Sequence, residues 1–392
     1  MKKMSFILTI VVAAVMLLSA CGPAATTAAP VAPATQAPAV PVLLPTATAA
    51  PVVATNPPAP KIKVGEVTDL GGVNDKSFNA SAWKGVQDAM AALPVDGKFL
   101  QSTQQSDYQK NIQQMLTDKS DLIITVGFLL GVDTATAAKA NSTQKFAIVD
   151  YTYPDCYPGA VEGKDCGSSA DLPDVRGLAF QTDQAAFLAG MLAAGMTKTG
   201  VVGTFGGLQI PTVTIFMDGF VAGVNYYNKQ NNTTVKVLGW DPATQKGTFV
   251  GNFNSLDDGK NTATSMAQEK ADIIVPVAGA VGLGSAAYCQ TSTKCLIIGV
   301  DTDWFVSSPD YASVELSSIQ KKIDVAVLKT ITDVVNGKFT GGTVVYTLAD
   351  GGVDLAPYHN FDSQVPQTLK DAIAKAKADI ISGAIKVGDY LK

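Results

Sequence analysis

The segment VTDLGGVNDKSFNASAWKGVQDA, residues 67–89, carries Asp69, Phe78 and Asn79 in a turn between a strand-like run and a helix-like run. A carboxylate accepts hydrogen bonds, and an amide both accepts and donates them. An aromatic face stacks on flat rings. Their presence together in one glycine-containing turn suggests that this turn contacts a ligand.

Short apolar runs alternate with segments of helical period through residues 61–392, and they define the elements that must position this turn. The runs KIKVGEVTDL, DLIITVGFLLG and KFAIVDY are continuously apolar, which is typical of parallel strands covered by helices on both faces. The repeated strand–helix–strand order predicts a doubly wound α/β fold with right-handed crossovers. The number of such units predicts two lobes.

We expect lobe 1 to comprise about 61–180 plus a segment after 301, and lobe 2 about 181–300 plus the C-terminal region. The predicted crossings between them lie near Phe180–Asp183 and Gly299–Asp303. The segment DQAAFLAGMLAAGMTK is apolar, yet it is shorter than a typical membrane span and has polar ends. It is therefore predicted to be a buried core helix.

Ligands of open α/β sheets bind beyond the carboxyl ends of the strands, so residues at these ends are candidate ligand contacts. Besides the first turn, the predicted strand ends deliver Phe128, Asp150, Phe253, Gly279, Asp301 and Asp303, and SSIQKKID offers Lys321 at the start of a helix. Carboxylates, a lysine and aromatic rings suit a weakly polar ligand with a planar ring and several hydroxyls. Taken singly, Asp69 could cap a helix, Phe78 could pack in the core, and Lys321 could be solvated.

The N-terminal sequence predicts that the protein is exported from the cytoplasm. Lys2 and Lys3 precede the apolar run FILTIVVAAVMLL and the sequence Leu-Ser-Ala-Cys, which ends at Cys21. We expect residues 1–20 to be a lipoprotein signal peptide and Cys21 to be lipidated; an ordinary signal peptide is the alternative. Residues 21–60 are rich in Ala, Pro and Thr and carry no charge, which predicts a disordered tether.

Charge and cysteine content restrict the partners. The net charge is −5, and it becomes −7 if Lys2 and Lys3 are removed with the signal peptide, which argues against nucleic acid as a binding partner.

After Cys21, four cysteines remain. In an oxidising compartment local pairing predicts the disulfides Cys156–Cys166 and Cys289–Cys295. A metal site is the weaker alternative because the spacings match no zinc pattern. No metal and no cofactor are expected.

The ordered series of motifs resembles the basic membrane protein family, the PnrA-like substrate-binding lipoproteins of ABC transporters. The series comprises TDLGGVNDKSFNASAWKGVQDA, FQTDQAAFLAGMLAAGMTKTGVVGTFGGL, DIIVPVAGAVGLG, IIGVDTDWF and SSIQKKIDVAVLK, and the resemblance extends from about Lys61 to Pro357. It implies a class I periplasmic-binding-protein fold, with two lobes joined by three crossings around a hinge and a ligand cleft. It also implies a purine nucleoside as ligand and an ABC permease and ATPase as partners.

The resemblance also implies roles for single residues. Phe78 and Phe253 correspond to the two rings that sandwich the base, and Asp69 and Asn79 correspond to an aspartate and an asparagine near the first ring. Asp150 would meet the edge of the base, Asp301 and Lys321 would hold the ribose, Gly279 would give a backbone contact, and Phe128 would line the cleft. The stretch around Phe253 departs from the family pattern, which leaves Phe249 as a competing second ring. The insertion between Cys156 and Cys166 is a further departure.

We therefore predict a lipid-anchored, extracytoplasmic and monomeric binding protein that delivers a nucleoside to a permease. A sensory receptor of the same fold is one alternative. A carboxylate-based nucleoside hydrolase is the other, and the presence of a single histidine, His359, argues against histidine-based catalysis. The sequence leaves open whether the protein resides in a periplasm or at the outer cell surface.

Overall fold

The structure, a computed structural model, describes residues 61–153 and 172–391. The predicted signal peptide, Cys21, the tether and the Cys156–Cys166 pair lie outside these residues. Among the helices that the structure does describe, none is both long enough and apolar enough to cross a membrane.

Lobe 1 is built on a six-stranded parallel sheet. Its strands, in chain order, are β1 (Ile62–Thr68), β2 (Val95–Leu100), β3 (Leu122–Val126), β4 (Lys145–Val149), β5 (Val175–Phe180) and β13 (Gly342–Tyr346), and their spatial order is β13-β5-β4-β3-β1-β2. Helices α1 (Phe78–Ala92), α2 (Tyr108–Thr117) and α3 (Gly131–Ala140) connect the strands, and α9 (Ile323–Val335) packs on α1. The central strand β3 is buried along its whole length, as its unbroken apolar sequence predicts.

Lobe 2 repeats this plan with one strand reversed. Its strands are β6 (Val201–Gly206), β7 (Lys236–Leu238), β10 (Ile273–Val277), β11 (Leu296–Asp301), β12 (Glu315–Lys321) and β14 (Val353–Leu355), in the spatial order β14-β12-β11-β10-β6-β7. All pairs are parallel except β12 with β14. A separate hairpin joins β8 (Trp240–Asp241) to β9 (Lys246–Gly247). The helices are α4 (Thr182–Met196), α5 (Pro211–Asn231), α6 (Leu256–Gln268), α7 (Val281–Ser292), α8 (Trp304–Ser307) and α10 (Gln367–Ile381).

The chain passes between the two sheets at three places within the described ranges: after β5, after β12, and between β13 and β14. Hydrogen bonds tie these crossings together, from the Gln181 amide to the Tyr346 carbonyl and from the Lys322 amide to the Gly352 carbonyl, each 2.9 Å long. The second crossing follows Lys321, so its predicted location near Gly299–Asp303 is wrong. The reason is that β11 continues into β12 within the same sheet, with Asp301 opposite Gln320.

The apolar segment that could have been mistaken for a membrane span is the buried helix α4. It packs closely on α5 because glycines allow the two backbones to approach each other. A Cβ atom at Gly190 would lie 2.2 Å from the Phe220 carbonyl oxygen, and one at Gly223 would lie 2.0 Å from the Phe187 carbonyl oxygen. The structure also contains a disulfide between Cys289 and Cys295, which links the end of α7 to the residue before β11.

Candidate ligand-binding site

A cavity lies between the two lobes, at the carboxyl ends of both sheets, and its volume of about 540 Å³ includes space that is open to solvent. The nine residues to which the family resemblance assigns roles all line it: Asp69, Phe78, Asn79, Phe128, Asp150, Phe253, Gly279, Asp301 and Lys321. The structure thus brings together side chains that are far apart in sequence.

The first turn is organised by Asp75, a residue that the sequence did not single out. Its carboxylate accepts hydrogen bonds from the backbone amides of Ser77 at 2.9 Å, Asn79 at 2.9 Å and Ala80 at 3.0 Å. These amides belong to the N-terminus of α1, where backbone donors otherwise lack partners. Asp75 therefore fixes the start of the helix, and with it the placement of Phe78 and Asn79 at the cavity.

Two hydrogen bonds to the same carboxylate oxygen hold Asp69 at the cavity wall. Its Oδ1 accepts hydrogen bonds from Asn79 Nδ2 at 3.0 Å and from the Gly71 amide at 3.2 Å. The other oxygen approaches Gly127, where φ is +119° and a Cβ atom would lie 2.3 Å from Asp69 Oδ2. Burial raises the pKa of Asp69 to about 6, although both hydrogen bonds oppose the shift. The carboxyl is thus poised to change protonation near neutral pH.

Lys321 lies between two carboxylates from opposite lobes. Its amine forms an ion pair with Asp150 of lobe 1, and its side chain is 2% exposed. Burial raises the pKa values of Asp150 and Asp301, whereas the Lys321 charge lowers both. Lys321 is the last residue of β12, so its predicted position at the start of a helix is wrong. The helix begins two residues later because the run ELSSIQK pairs with β11 as a buried strand.

Asp150 and Asp301 occupy corresponding positions in the two lobes. Asp150 follows β4 and Asp301 ends β11, and these strands occupy the same place in their respective sheets. Both residues have left-handed backbone conformations, with φ of +65° and +66°. Such conformations are uncommon for residues other than glycine and cluster at functional sites. The two strand ends therefore present their carboxylates with the same backbone geometry.

The aromatic part of the cavity comes from both lobes. Phe78 lies at the start of α1 in lobe 1, and Phe253 and Phe216 belong to lobe 2. The Lys321 amine is 5.0 Å from the centre of the Phe78 ring and 5.4 Å from that of Phe216. Phe249, the alternative second ring, packs edge-on against Trp240 with ring centres 5.8 Å apart. The geometry therefore favours Phe253 over Phe249 as the ring that meets a ligand.

Asp303 also follows β11 but does not line the cavity. Its carboxylate contacts His359 Nε2 at 2.9 Å, and the His359 ring stacks on Phe305 with ring centres 4.0 Å apart. Asp303 also caps α8 through a bond of 3.2 Å from the Phe305 amide. Its role is thus structural, and of the two aspartates Asp301 is the one that lines the cavity.

Comparison with known proteins identifies the family. Residues 62–390 match the model for ABC transporter substrate-binding proteins that are PnrA-like. This chain belongs to the PnrA-like family. A curated relative, the ABC transporter nucleoside-binding protein BmpA of Lactococcus lactis subsp. cremoris, is 32% identical over 349 residues, which cover 83% of this chain and 89% of the relative.

Two further comparisons agree with PnrA-like membership. An uncharacterised lipoprotein of Pyrococcus abyssi is 30% identical over 306 residues, covering 75% of this chain and 69% of the relative. The crystal structure of an ABC transporter solute-binding protein from Aeropyrum pernix K1 superposes with a TM-score of 0.72 at 26% identity, covering 83% of this chain and 92% of that one. The two sheets therefore form the periplasmic-binding-protein fold of a substrate-binding protein.

The PnrA-like cavity also includes residues that sequence reasoning missed. Besides Asp75, the first turns of α5 and the loop before it contribute Ile210, Thr212, Val213 and Phe216. Pro211, the first residue of α5, was the available signal, because proline is common at the first position of a helix. This signal marks another strand-to-helix turn at the same edge of the sheet. These residues make one wall of the cavity largely apolar.

Proposed function

We propose that this protein captures purine nucleosides outside the cytoplasm, by closure of its two lobes, and delivers them to the permease of an ABC importer. The observation that carries the proposal is the composition of the cavity. Phe78 and Phe253, from opposite lobes, provide faces on which a base can stack, while Asp150, Asp301 and Lys321 provide acceptors and donors for polar groups. The nucleoside-binding relative supports the same ligand class.

Within this proposal, different carboxylates contact different parts of the ligand. Asp69, Asn79 and Asp150 contact the edge of the base, and Phe128 closes the cavity beside them. Asp301 and Lys321 hold the ribose hydroxyls, and the backbone at Gly279, where φ is +55°, approaches the sugar closely. Each polar group that is buried beside the ligand then gains a hydrogen-bond partner, which buried polar groups require.

We further propose that the mature protein is monomeric and is held at the extracytoplasmic face of the membrane by a lipid on Cys21. The Leu-Ser-Ala-Cys sequence and the similarity to a lipoprotein of Pyrococcus abyssi support this location. Residues 21–60 would then separate the two lobes from the lipid surface. Metabolic labelling with a fatty acid, compared between the wild type and Cys21→Ala, tests the anchor.

The direct test of the proposed function is to identify the ligand. Mass spectrometry of purified protein is expected to detect a purine nucleoside, and thermal-shift screening is expected to show stabilisation by such nucleosides. A ligand at 100 times its Kd that binds only the folded state stabilises it by about 2.7 kcal/mol. Stabilisation by sugars or amino acids, with none by nucleosides, would contradict the proposal. Release of free base from a bound nucleoside would instead indicate a hydrolase.

The pKa of Asp69 predicts how affinity depends on pH. If a base N–H donates to Asp69, the ionised carboxylate is the binding form, so binding drives proton release when the pH lies below about 6. Guanosine affinity is therefore expected to fall about tenfold for each pH unit below 6. Calorimetry between pH 5 and 7.5, in buffers with different ionisation enthalpies, measures both the affinity and the protons released.

Asp69→Asn is the control for this prediction, because Asp150 and Asp301 also have raised pKa values. The variant retains a side-chain oxygen that can accept a hydrogen bond but does not titrate. It is expected to lose most of the pH dependence between 5 and 7. An unchanged pH profile in Asp69→Asn would assign the effect to other groups.

A further inference from the structure

The two lobes contact each other directly at the wall of the cavity. Ser77, at the start of α1 in lobe 1, donates a hydrogen bond from Oγ to Asp301 Oδ2 of lobe 2 at 2.6 Å. Next to it, Thr302 Oγ1 donates to the Lys76 carbonyl oxygen at 3.0 Å. Both bonds join residues on opposite sides of the cleft, so they connect the two lobes in this structure.

Lobe 1 fixes the position of the Ser77 hydroxyl. Ser77 is 1% exposed, and its backbone amide donates to Asp75 Oδ1 at 2.9 Å. Asp75 is itself held by the amides of Asn79 and Ala80 at the N-terminus of α1. The hydroxyl therefore approaches lobe 2 from a preset position when the cleft shuts.

The Asp301 carboxylate, which accepts the hydrogen bond from Ser77, lies between the central cavity and a groove on the outside of the cleft. It lines the central cavity, and together with Lys321 it also lines an outer groove between the lobes, next to Lys76 and Thr302. In the described part of the chain, Ser77 is the hydrogen-bond donor to the Asp301 carboxylate, and it occupies Oδ2. The Oδ1 atom is left for a ligand hydroxyl.

We propose that Ser77 is a positioning residue that orients the Asp301 carboxylate toward the ribose hydroxyls when the lobes close. This inference rests on the proposed function and adds to it a mechanism for specificity. Before closure Asp301 lacks the Ser77 hydroxyl and rotates more freely. After closure one oxygen is held and the other accepts from the sugar, so recognition of the ribose depends on closure.

The test compares guanosine with 2′,3′-dideoxyguanosine by calorimetry, using the mature chain. The wild type is expected to prefer guanosine, and Ser77→Ala is expected to reduce this preference by about tenfold, close to the lower end of the range for a hydrogen bond to a charged group. The Ser77→Thr variant, which keeps the hydroxyl, is expected to show the wild-type preference for guanosine. Combining Ser77→Ala with Asp301→Asn is expected to reduce the preference no further than Asp301→Asn alone.

Two matched variants separate positioning from general effects. Ser81→Ala removes another buried hydroxyl of α1, which accepts a bond from the Asp324 amide at 3.3 Å, and is expected to leave the preference unchanged. Thr302→Val removes the neighbouring contact between the lobes and is expected to weaken both ligands equally.

If the Ser77→Ala variant binds guanosine and retains the wild-type preference for it over 2′,3′-dideoxyguanosine, the inference is overturned while the proposed function stands. If Ser77→Ala fails to fold, Asp301→Asn alone still decides, because a wild-type preference in that variant would show that Asp301 does not recognise the ribose, which would overturn the inference. If the wild type binds no nucleoside, both the proposed function and the inference are overturned.

Discussion

Replacing Lys321 with methionine is expected to destabilise the protein by about 3–5 kcal/mol at pH 7.5, because it removes one partner of a buried ion pair. The Lys321 side chain is 2% exposed and that of Asp150 is 6% exposed, so removal of the amine leaves a buried carboxylate without its partner. Asp301, whose pKa the amine also lowers, loses the same favourable interaction. Urea denaturation of the ligand-free protein measures the change.

The loss of stability in Lys321→Met is expected to shrink as the pH falls. Burial raises the pKa values of Asp150 and Asp301, so both bind protons more tightly in the folded state than in the unfolded state. The free energy of unfolding therefore rises as the pH falls from the folded pKa values toward the ordinary value of 3.8. Denaturation at pH 5 and pH 7.5 gives the sign of this dependence.

Lys84→Met is the matched control for Lys321→Met. Lys84 forms an ion pair with Asp88 on the surface, and its side chain is 56% exposed, so its loss is expected to cost less than about 1 kcal/mol. The double variant Lys321→Met with Asp150→Asn is expected to recover much of the lost stability, because both charges of the pair are then absent. Equal effects of Lys321→Met and Lys84→Met would show that the buried pair contributes little.

Replacing Phe253 with alanine is expected to weaken nucleoside binding by about 1–3 kcal/mol, the usual contribution of a ring that stacks on a base. The same loss is expected for Phe78→Ala, because the two rings belong to opposite lobes and both line the cavity. Free energies of binding for guanosine, measured by calorimetry at pH 7.5, test both variants. The pH is chosen so that Asp69 is ionised.

Phe249→Ala is the control for this second prediction. Phe249 is close in sequence and equal in size to Phe253, but it packs on Trp240 outside the cavity. The Phe249→Ala substitution is expected to lower the melting temperature while leaving the affinity of the folded protein for guanosine close to that of the wild type. A larger loss of affinity in Phe249→Ala than in Phe253→Ala would reverse the assignment of the stacking rings.

The sequence by itself determined the fold class and placed three aspartates at the cavity. Continuous apolar strands alternating with helices specify parallel sheets, and parallel sheets bring the residues after each strand to one edge. Asp69, Asp150 and Asp301 could therefore be placed at the cavity from local pattern alone. The family resemblance supplied their pairing with Phe78, Phe253 and Lys321, which local pattern does not encode.

Only the tertiary structure decided how these residues are arranged. Lys321 ends a strand rather than beginning a helix, because β12 completes the second sheet before the chain crosses back. Asp75 and Ser77 emerged as organisers of the site because their roles depend on hydrogen bonds, one set within a turn and one between residues 224 positions apart. Sequence periodicity reports which face of an element is buried. It carries no information about which polar groups meet across a closed cleft, since that depends on the relative positions of two lobes.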